Sequence, residues 1–180
     1  VREALILSID RDAISRQLFE GRQPVAHTNI NPLDWIHWDG VPKYTFQPER
    51  AGILLDSAGW LRKKNGVRYN AKGERMILDM MTTAGNRTRE LVEQVLQSQW
   101  KQIGVDIRIR NEPARVFFGQ TVTQRKFSAF AMFAWISAPE SVPRSILHSN
   151  HIPTEANNWA GQNYTGFRNS EVDNLIEKIE

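Results

Sequence analysis

Between residues 76 and 135 the apolar pattern changes period four times, and no other stretch constrains the fold as tightly. Residues 76–83 (MILDMMTT) form a nearly continuous apolar run, which predicts a mostly buried strand. Residues 86–103 place Val92, Leu96, Trp100 and Ile103 on one helical face, and Gly104 stops that helix. Residues 105–110 (VDIRIR) alternate with period two, the mark of a strand with one wet face. A moderately amphipathic helix over 114–126 follows, with Val116, Phe117 and Val122 turned to the core, and then an apolar strand ending at Trp135. Short strand–helix–strand connections favour parallel neighbours and right-handed crossovers, so the three strands should point the same way in an α/β sheet. Ligands of such sheets bind outside the carboxyl ends of the strands. Here those ends are residues 82–86, 111–113 and 135–140, three loops that converge on one edge.

The rest of the chain reads as helices and loops around that unit. Residues 1–19 predict two short helices, the second capped by Asp10. Residues 20–43, punctuated by Pro and Gly around Trp35 and Trp38, predict a long ordered surface excursion. Pro48 suits the first turn of a helix that Gly59 ends, and residues 61–75 predict a hairpin or loop around Gly66 and Gly73. Residues 142–149 suggest a short helix and residues 150–166 an irregular stretch, after which Asn169 caps a last apolar-faced helix. At 180 residues and 41% apolar, the chain can close one α/β domain. It opens without Met on a helical pattern and stops while still helical, so a fragment of a longer protein is expected.

Several chemistries lose their support on composition. There is no cysteine, hence no disulfide, thiol catalysis or thiolate-bound metal within these residues. The net charge of +3 is spread along the chain rather than gathered on one element, which argues against nucleic-acid binding. No phosphate loop, dinucleotide fingerprint or nucleophile elbow is present. His148 and His151 are three apart, but Pro153 ends any helix there and no carboxylate supports a metal site. Asn86 and Asn163 open short patterns of the glycosylation type, which occur by chance. No cofactor is expected. Trp35, Trp38, Trp135 and Trp159 fall in loops or at strand ends, where indoles can form an apolar clamp on a solute, whereas Trp60 and Trp100 fit core packing. The expectation from the residues is a sheet edge that binds a small solute and does no chemistry on it.

Four segments in series carry a family resemblance: VREALILSIDRDAI at 1–14, YTFQPERAGILLDSAGW at 44–60, LVEQVLQSQWKQIGVDIRI at 91–109 and NYTGFRNSEVDNLI at 163–176. Together they resemble the second lobe of extracytoplasmic solute-binding proteins of family 5, the oligopeptide/dipeptide class of ABC importers. The resemblance implies a type II-like periplasmic-binding-protein fold, with residues 1–180 forming one lobe of a two-lobed receptor that lacks its first lobe here. It further implies a monomer, periplasmic or otherwise extracytoplasmic, that closes on a peptide and delivers it to ABC transporter permease subunits. The ligand-facing positions it implies, together with the sheet-edge reading, are Thr82, Thr83, Asn86, Glu112, Phe117, Trp135, Ile136, Ser137, Ala138 and Glu140. Peptide receptors of this class commonly carry an Asp three residues after the tryptophan to pair the ligand's α-amino group, and an Arg at the first strand end for its carboxylate. This sequence has Ala138 and Thr83 there, with Glu140 the nearest acid and Arg87 and Arg89 unmatched replacements. Those departures keep open a non-peptide solute such as a metal chelate, a sugar or a modified peptide. A sensor built on the same lobe and an α/β enzyme of unknown type are further alternatives, the latter weakened because the strand-end loops offer no histidine or cysteine.

Overall fold

In the computed structural model, which describes residues 1–136, 138 and 141–179, the two opening helices are α1 (Arg2–Leu7) and α2 (Arg11–Phe19). Asp10 separates them because its carboxylate accepts the Ala13 N–H at 2.8 Å, satisfying one of the orphan donors of α2. Helix α3 (Pro48–Ser57) buries Ala51 and Leu55 against Ala4, Leu5 and Leu7 of α1. It ends through Gly59, whose φ of +82° lets the Trp60 N–H reach back to the Leu55 carbonyl at 2.9 Å.

A two-stranded antiparallel hairpin follows, β1 (Leu61–Arg62) with β2 (Arg68–Tyr69). Arg68 locks it down. Its guanidinium, 4% exposed, donates to the Ile103 and Trp60 carbonyls and to the Asp56 carboxylate, each at 2.6 Å. Gly104 closes the joint from the other side, since a Cβ there would stand 2.8 Å from the Gly66 carbonyl.

The main sheet is β3 (Ile77–Met81), β4 (Asp106–Ile109) and β5 (Phe130–Ala131), all parallel, in the order β4-β3-β5. Met80 stands opposite Ile109 on one side and Phe130 on the other. Helix α4 (Arg87–Gln102) connects β3 to β4 and buries Leu96 and Trp100. Trp100 ties three layers together: its indole N–H donates to the Leu5 carbonyl at 3.0 Å, and its ring stacks on Phe130 at 4.9 Å.

Two expected elements come out differently. The helix expected over 114–126 is one turn of α-helix, α5 (Ala114–Val116), that widens into a π-helical segment, Phe117–Val122. Within it the Thr123 hydroxyl donates to the Phe118 carbonyl, giving that carbonyl a partner other than a backbone N–H, and the Thr121 hydroxyl donates to the Glu112 carboxylate. The apolar strand expected up to Trp135 is only two residues of ladder. Met132 N–H still donates to the Met81 carbonyl at 2.8 Å, but the Met132 carbonyl takes the Thr82 hydroxyl at 2.7 Å instead of a backbone N–H. The chain thus peels from the sheet on a side-chain hydrogen bond.

Helix α6 (Arg144–Leu147) lies inside the expected 142–149, and two 3-10 turns, Ser149–His151 and Glu155–Asn157, occupy the irregular stretch. Asn163, fully buried, organises that stretch by donating to the Leu147, His148 and Phe167 carbonyls and accepting the Phe167 N–H. Its burial also removes it as a glycosylation acceptor. Helix α7 (Ser170–Ile179) starts under the Asn169 side chain, which accepts from Glu171 and Val172 as the sequence leads one to expect.

Candidate functional site

The carboxyl end of β3 is joined to the loop after β4 before either meets solvent. Thr83 pairs with Glu112 in a parallel bridge, the Glu112 N–H donates to the Thr82 carbonyl, and Ala84 N–H donates to the Glu112 carbonyl at 2.7 Å. Beneath them lies a polar column. The Thr82 N–H donates to Asn111 Oδ1 at 2.9 Å, and Asn111 Nδ2 donates to the Glu93 carboxylate of α4 at 2.7 Å. Glu93 is fully buried and its other oxygen has no hydrogen-bond partner among the described residues. Desolvation by that burial raises its pKa, the Asn111 hydrogen bond opposes the rise, and the nearby Glu90 charge adds to it.

This arrangement sorts the expected ligand-facing residues by depth. Thr82 and Phe117 are fully buried, so they support the edge from below rather than line it. Thr83 is also buried, with its hydroxyl accepting the Arg89 guanidinium N–H at 2.9 Å. Arg89, considered as a replacement for a strand-end arginine, is thereby engaged at the residue it was to replace. Asn86 caps α4 by accepting the Arg89 N–H at 3.1 Å, and Glu112 accepts the Thr121 hydroxyl at 2.6 Å. Both remain partly accessible at the edge. Ser137 and Glu140 lie outside the described residues.

Trp135, Ile136 and Ala138 are the exposed members. Trp135 keeps half its surface in solvent while aromatic neighbours hold its ring: Phe133 meets it edge-on at 5.5 Å and Tyr164 stacks at 6.5 Å. Phe133 in turn packs edge-on against Phe117 and Phe118. The π-helical segment, β5 and the 163–167 turn therefore converge on one indole.

Two hollows share that indole as a wall. One is a cavity of about 120 Å3 between residues 29–36 and the Trp135 loop, bounded also by Ala138, Val142 and Ile146. The other is an open apolar groove of about 700 Å3 along β5, walled by Ile9 and Trp100 on one side and Tyr164 on the other. Sequence reasoning missed the contribution of residues 29–36. Of the four loop tryptophans it singled out, Trp35 and Trp38 stand about three-quarters exposed away from the small cavity, which Ile30 and Ile36 line instead. The available signal was the run of Thr28, Asn31 and Asp34, each of which accepts the N–H two residues on and so builds an ordered turn.

The histidine pair behaves as structure. His148 is buried, its Nδ1 accepts the Asn150 N–H and its Nε2 lies 3.3 Å from Glu177, and the His151 ring stands 6.2 Å away edge-on. No group of three or more metal-ligating side chains is assembled among the described residues.

A three-stranded parallel sheet flanked by helices, with a tryptophan-walled cavity beyond β5, has the architecture of one lobe of the periplasmic-receptor type. Residues 1–154 match the profile of the bacterial extracellular solute-binding proteins, family 5, middle region, and the chain belongs to that family. It is 28% identical over 98% of its length to the oligopeptide-binding protein AppA of Bacillus subtilis, covering 32% of that protein. It is 24% identical over 90% of its length to the nickel-binding periplasmic protein of Escherichia coli, covering 30% of it. Among solved structures, the oligopeptide-binding protein of Thermus thermophilus complexed with a pentapeptide superposes with a TM-score of 0.91 at 31% identity. That match covers 99% of this chain and 32% of the other. The chain thus spans about a third of the length of the proteins it matches, and its fold is that of a family 5 binding-protein lobe.

Proposed function

We propose that these residues form one lobe of a monomeric, extracytoplasmic substrate-binding protein that captures peptides in a cleft and hands them to the permease of an ABC importer. The observation that carries this reading is Trp135: a half-exposed indole, braced by Phe133 and Tyr164, at the edge where the carboxyl ends of three parallel strands gather. A surface indole costs solvation unless something covers it, and a braced one loses little entropy on binding. The family and the peptide receptors among its members support peptide as the ligand. The role is capture without catalysis, a reading supported by the described edge residues, among which Thr82, Thr83, Asn86 and Glu112 are engaged in structural hydrogen bonds and Phe117, Ile136 and Ala138 are apolar. The other lobe, contributed by the same longer chain, would close the cleft over Trp135, Ile136 and Ala138.

Calorimetry of the full-length protein with defined peptides of three to nine residues tests this. One-to-one binding is expected, and Trp135→Ala should weaken it by about 2 kcal/mol, roughly thirtyfold. A protein that binds no peptide and co-purifies with a metal chelate or sugar would overturn the peptide reading. That second reading has one observation in its favour: Ala138, which brings no charge, lines the small cavity where a peptide receptor of this family would be expected to present an acid.

A further inference from the structure

A buried carboxyl stands at the inner end of a hydrogen-bonded column that reaches the Trp135 loop. Glu93 Oε2 accepts the Asn111 Nδ2–H at 2.7 Å, Asn111 Oδ1 accepts the Thr82 N–H at 2.9 Å, and the Thr82 hydroxyl donates to the Met132 carbonyl at 2.7 Å. Met132 lies where the chain leaves β5 on its way to Trp135. We propose that Glu93 is a positioning residue for the solute-binding edge, and that capture of the solute is coupled to a proton held on this carboxyl. This rests on the solute-capture reading above and adds a regulation of that same site.

Three features carry it. The first is the pocket of the carboxyl. Glu93 is fully buried, its Oε1 has no hydrogen-bond partner, and no cation pairs with it among the described residues. A neutral carboxyl tolerates such a pocket, whereas a carboxylate met by one neutral donor does not. The second is the surrounding charge. Glu90 on the same helix disfavours the ionised form. On the strands packed against α4, Asp79 pairs with Arg108 and Arg110, and Asp106 pairs with Arg75. After β4, Glu112 accepts the Thr121 hydroxyl, and on α1, which meets the far end of α4 at Trp100, Glu3 pairs with Arg50. These groups are engaged elsewhere, so none of them offsets a charge on Glu93. The third is that the column has no slack. Asn111 spends its oxygen on Thr82 and its amide nitrogen on Glu93, so it cannot turn over without losing both bonds. Arg89, one helical turn before Glu93, is the cation a carboxylate there would draw, and its guanidinium now holds the Thr83 hydroxyl. Ionisation therefore loosens the edge at Thr82 and Thr83 together, while the neutral acid leaves it ordered for a ligand. A ligand that needs the ordered edge binds the protonated form better. Its affinity falls as pH rises through the folded pKa of Glu93, which burial lifts above the ordinary 4.5, and binding takes up a proton.

The test uses the full-length protein, wild type and Glu93→Gln, in two measurements. The first needs no ligand. In fluorotryptophan-labelled protein the Trp135 fluorine resonance, identified by its loss in Trp135→Phe, is followed between about pH 5 and 8. It should shift with pH in the wild type and stay in place in Glu93→Gln. A resonance that does not move, or moves equally in both, overturns the positioning role. Thr82→Val, which leaves Glu93 in place and removes the hydroxyl link to Met132, should also abolish the shift, and a shift retained there overturns the column as its route. The second measurement is calorimetric titration with N-acetyl-trialanine amide, which carries no titratable group, over the same pH range. Wild-type affinity should fall about fivefold or more as pH rises, with proton uptake on binding, and Glu93→Gln should bind with level affinity. Affinity that is level in the wild type, or that falls equally in Glu93→Gln, overturns the coupling while leaving peptide capture standing. Absence of binding at every pH overturns the peptide reading instead, and the fluorine shift then decides the role of Glu93.

Discussion

Glu93 shows how a single residue under the edge can make the fold answer to pH. Its carboxyl is buried, accepts one hydrogen bond from Asn111 and titrates above its ordinary value of 4.5 because burial disfavours the charge. A group with a raised folded pKa contributes stability that is fully present below the unfolded value near 4.5 and lost as pH rises through the folded value. Glu93→Gln keeps an acceptor for Asn111 without the charge, so it should raise the denaturation midpoint at pH 8 and flatten its pH dependence between about 4 and 8. Urea melts at a series of pH values read this directly. Arg68 is the opposite case, a buried charge that is fully met. Removing it in Arg68→Ala strands the Ile103 and Trp60 carbonyls, and a loss of about 3–5 kcal/mol is expected by the same melts. Neither residue stood out in the sequence. Glu93 lies on a face whose period marks it only as helical, and Arg68 looks like one basic residue in a polar loop. Their roles come from partners 18 and 35 positions away, which no local pattern encodes.

Among the elements, those with local causes were legible and those with tertiary causes were not. Asp10 and Asn169 cap the helices expected of them, and Pro48 and Gly59 bracket α3, because each acts on backbone groups within a turn of itself. The three parallel strands of the βαβαβ unit were legible for the same reason. Their order was not: β3, first in sequence, is central, with Ile109 and Phe130 opposite Met80 on its two sides, a pairing between residues about 30 and 50 positions apart that no local pattern encodes. The short β5 was hidden because apolar character continues to Trp135 after the ladder has ended. Since the Thr82 hydroxyl replaces the missing ladder bond, Thr82→Val should release the start of the Trp135 loop at nearly constant volume. A cost of about 1–3 kcal/mol is expected, with faster amide exchange at residues 132–135 than in β3. Unchanged exchange there would show that the hydroxyl does not hold the loop.

For the whole molecule, the sheet leaves one edge of β5 unpaired among the described residues, beside an apolar groove of about 700 Å3. Exposed strand edges and apolar patches of that kind recruit partners indiscriminately. These 180 residues produced alone should therefore enhance the fluorescence of an apolar dye and associate with rising concentration. Lys substitution at Ala129, on the wall of the groove, should suppress both. Analytical ultracentrifugation across a hundredfold concentration range is the measurement. The candidate site was legible at this scale in one respect, the strand-end edge with Trp135, which follows from topology. The wall formed by residues 29–36 was not, since nothing in a loop's composition says which distant loop it will face.

One indole forms a wall of both hollows. Whatever settles in the groove and turns the Trp135 ring alters the shape of the small cavity, and a ligand that fixes the ring in the small cavity alters the groove. By linkage the two effects are equal in free energy. Trp135 is thus a shared partition, and the affinity measured on one side of it carries information about what occupies the other.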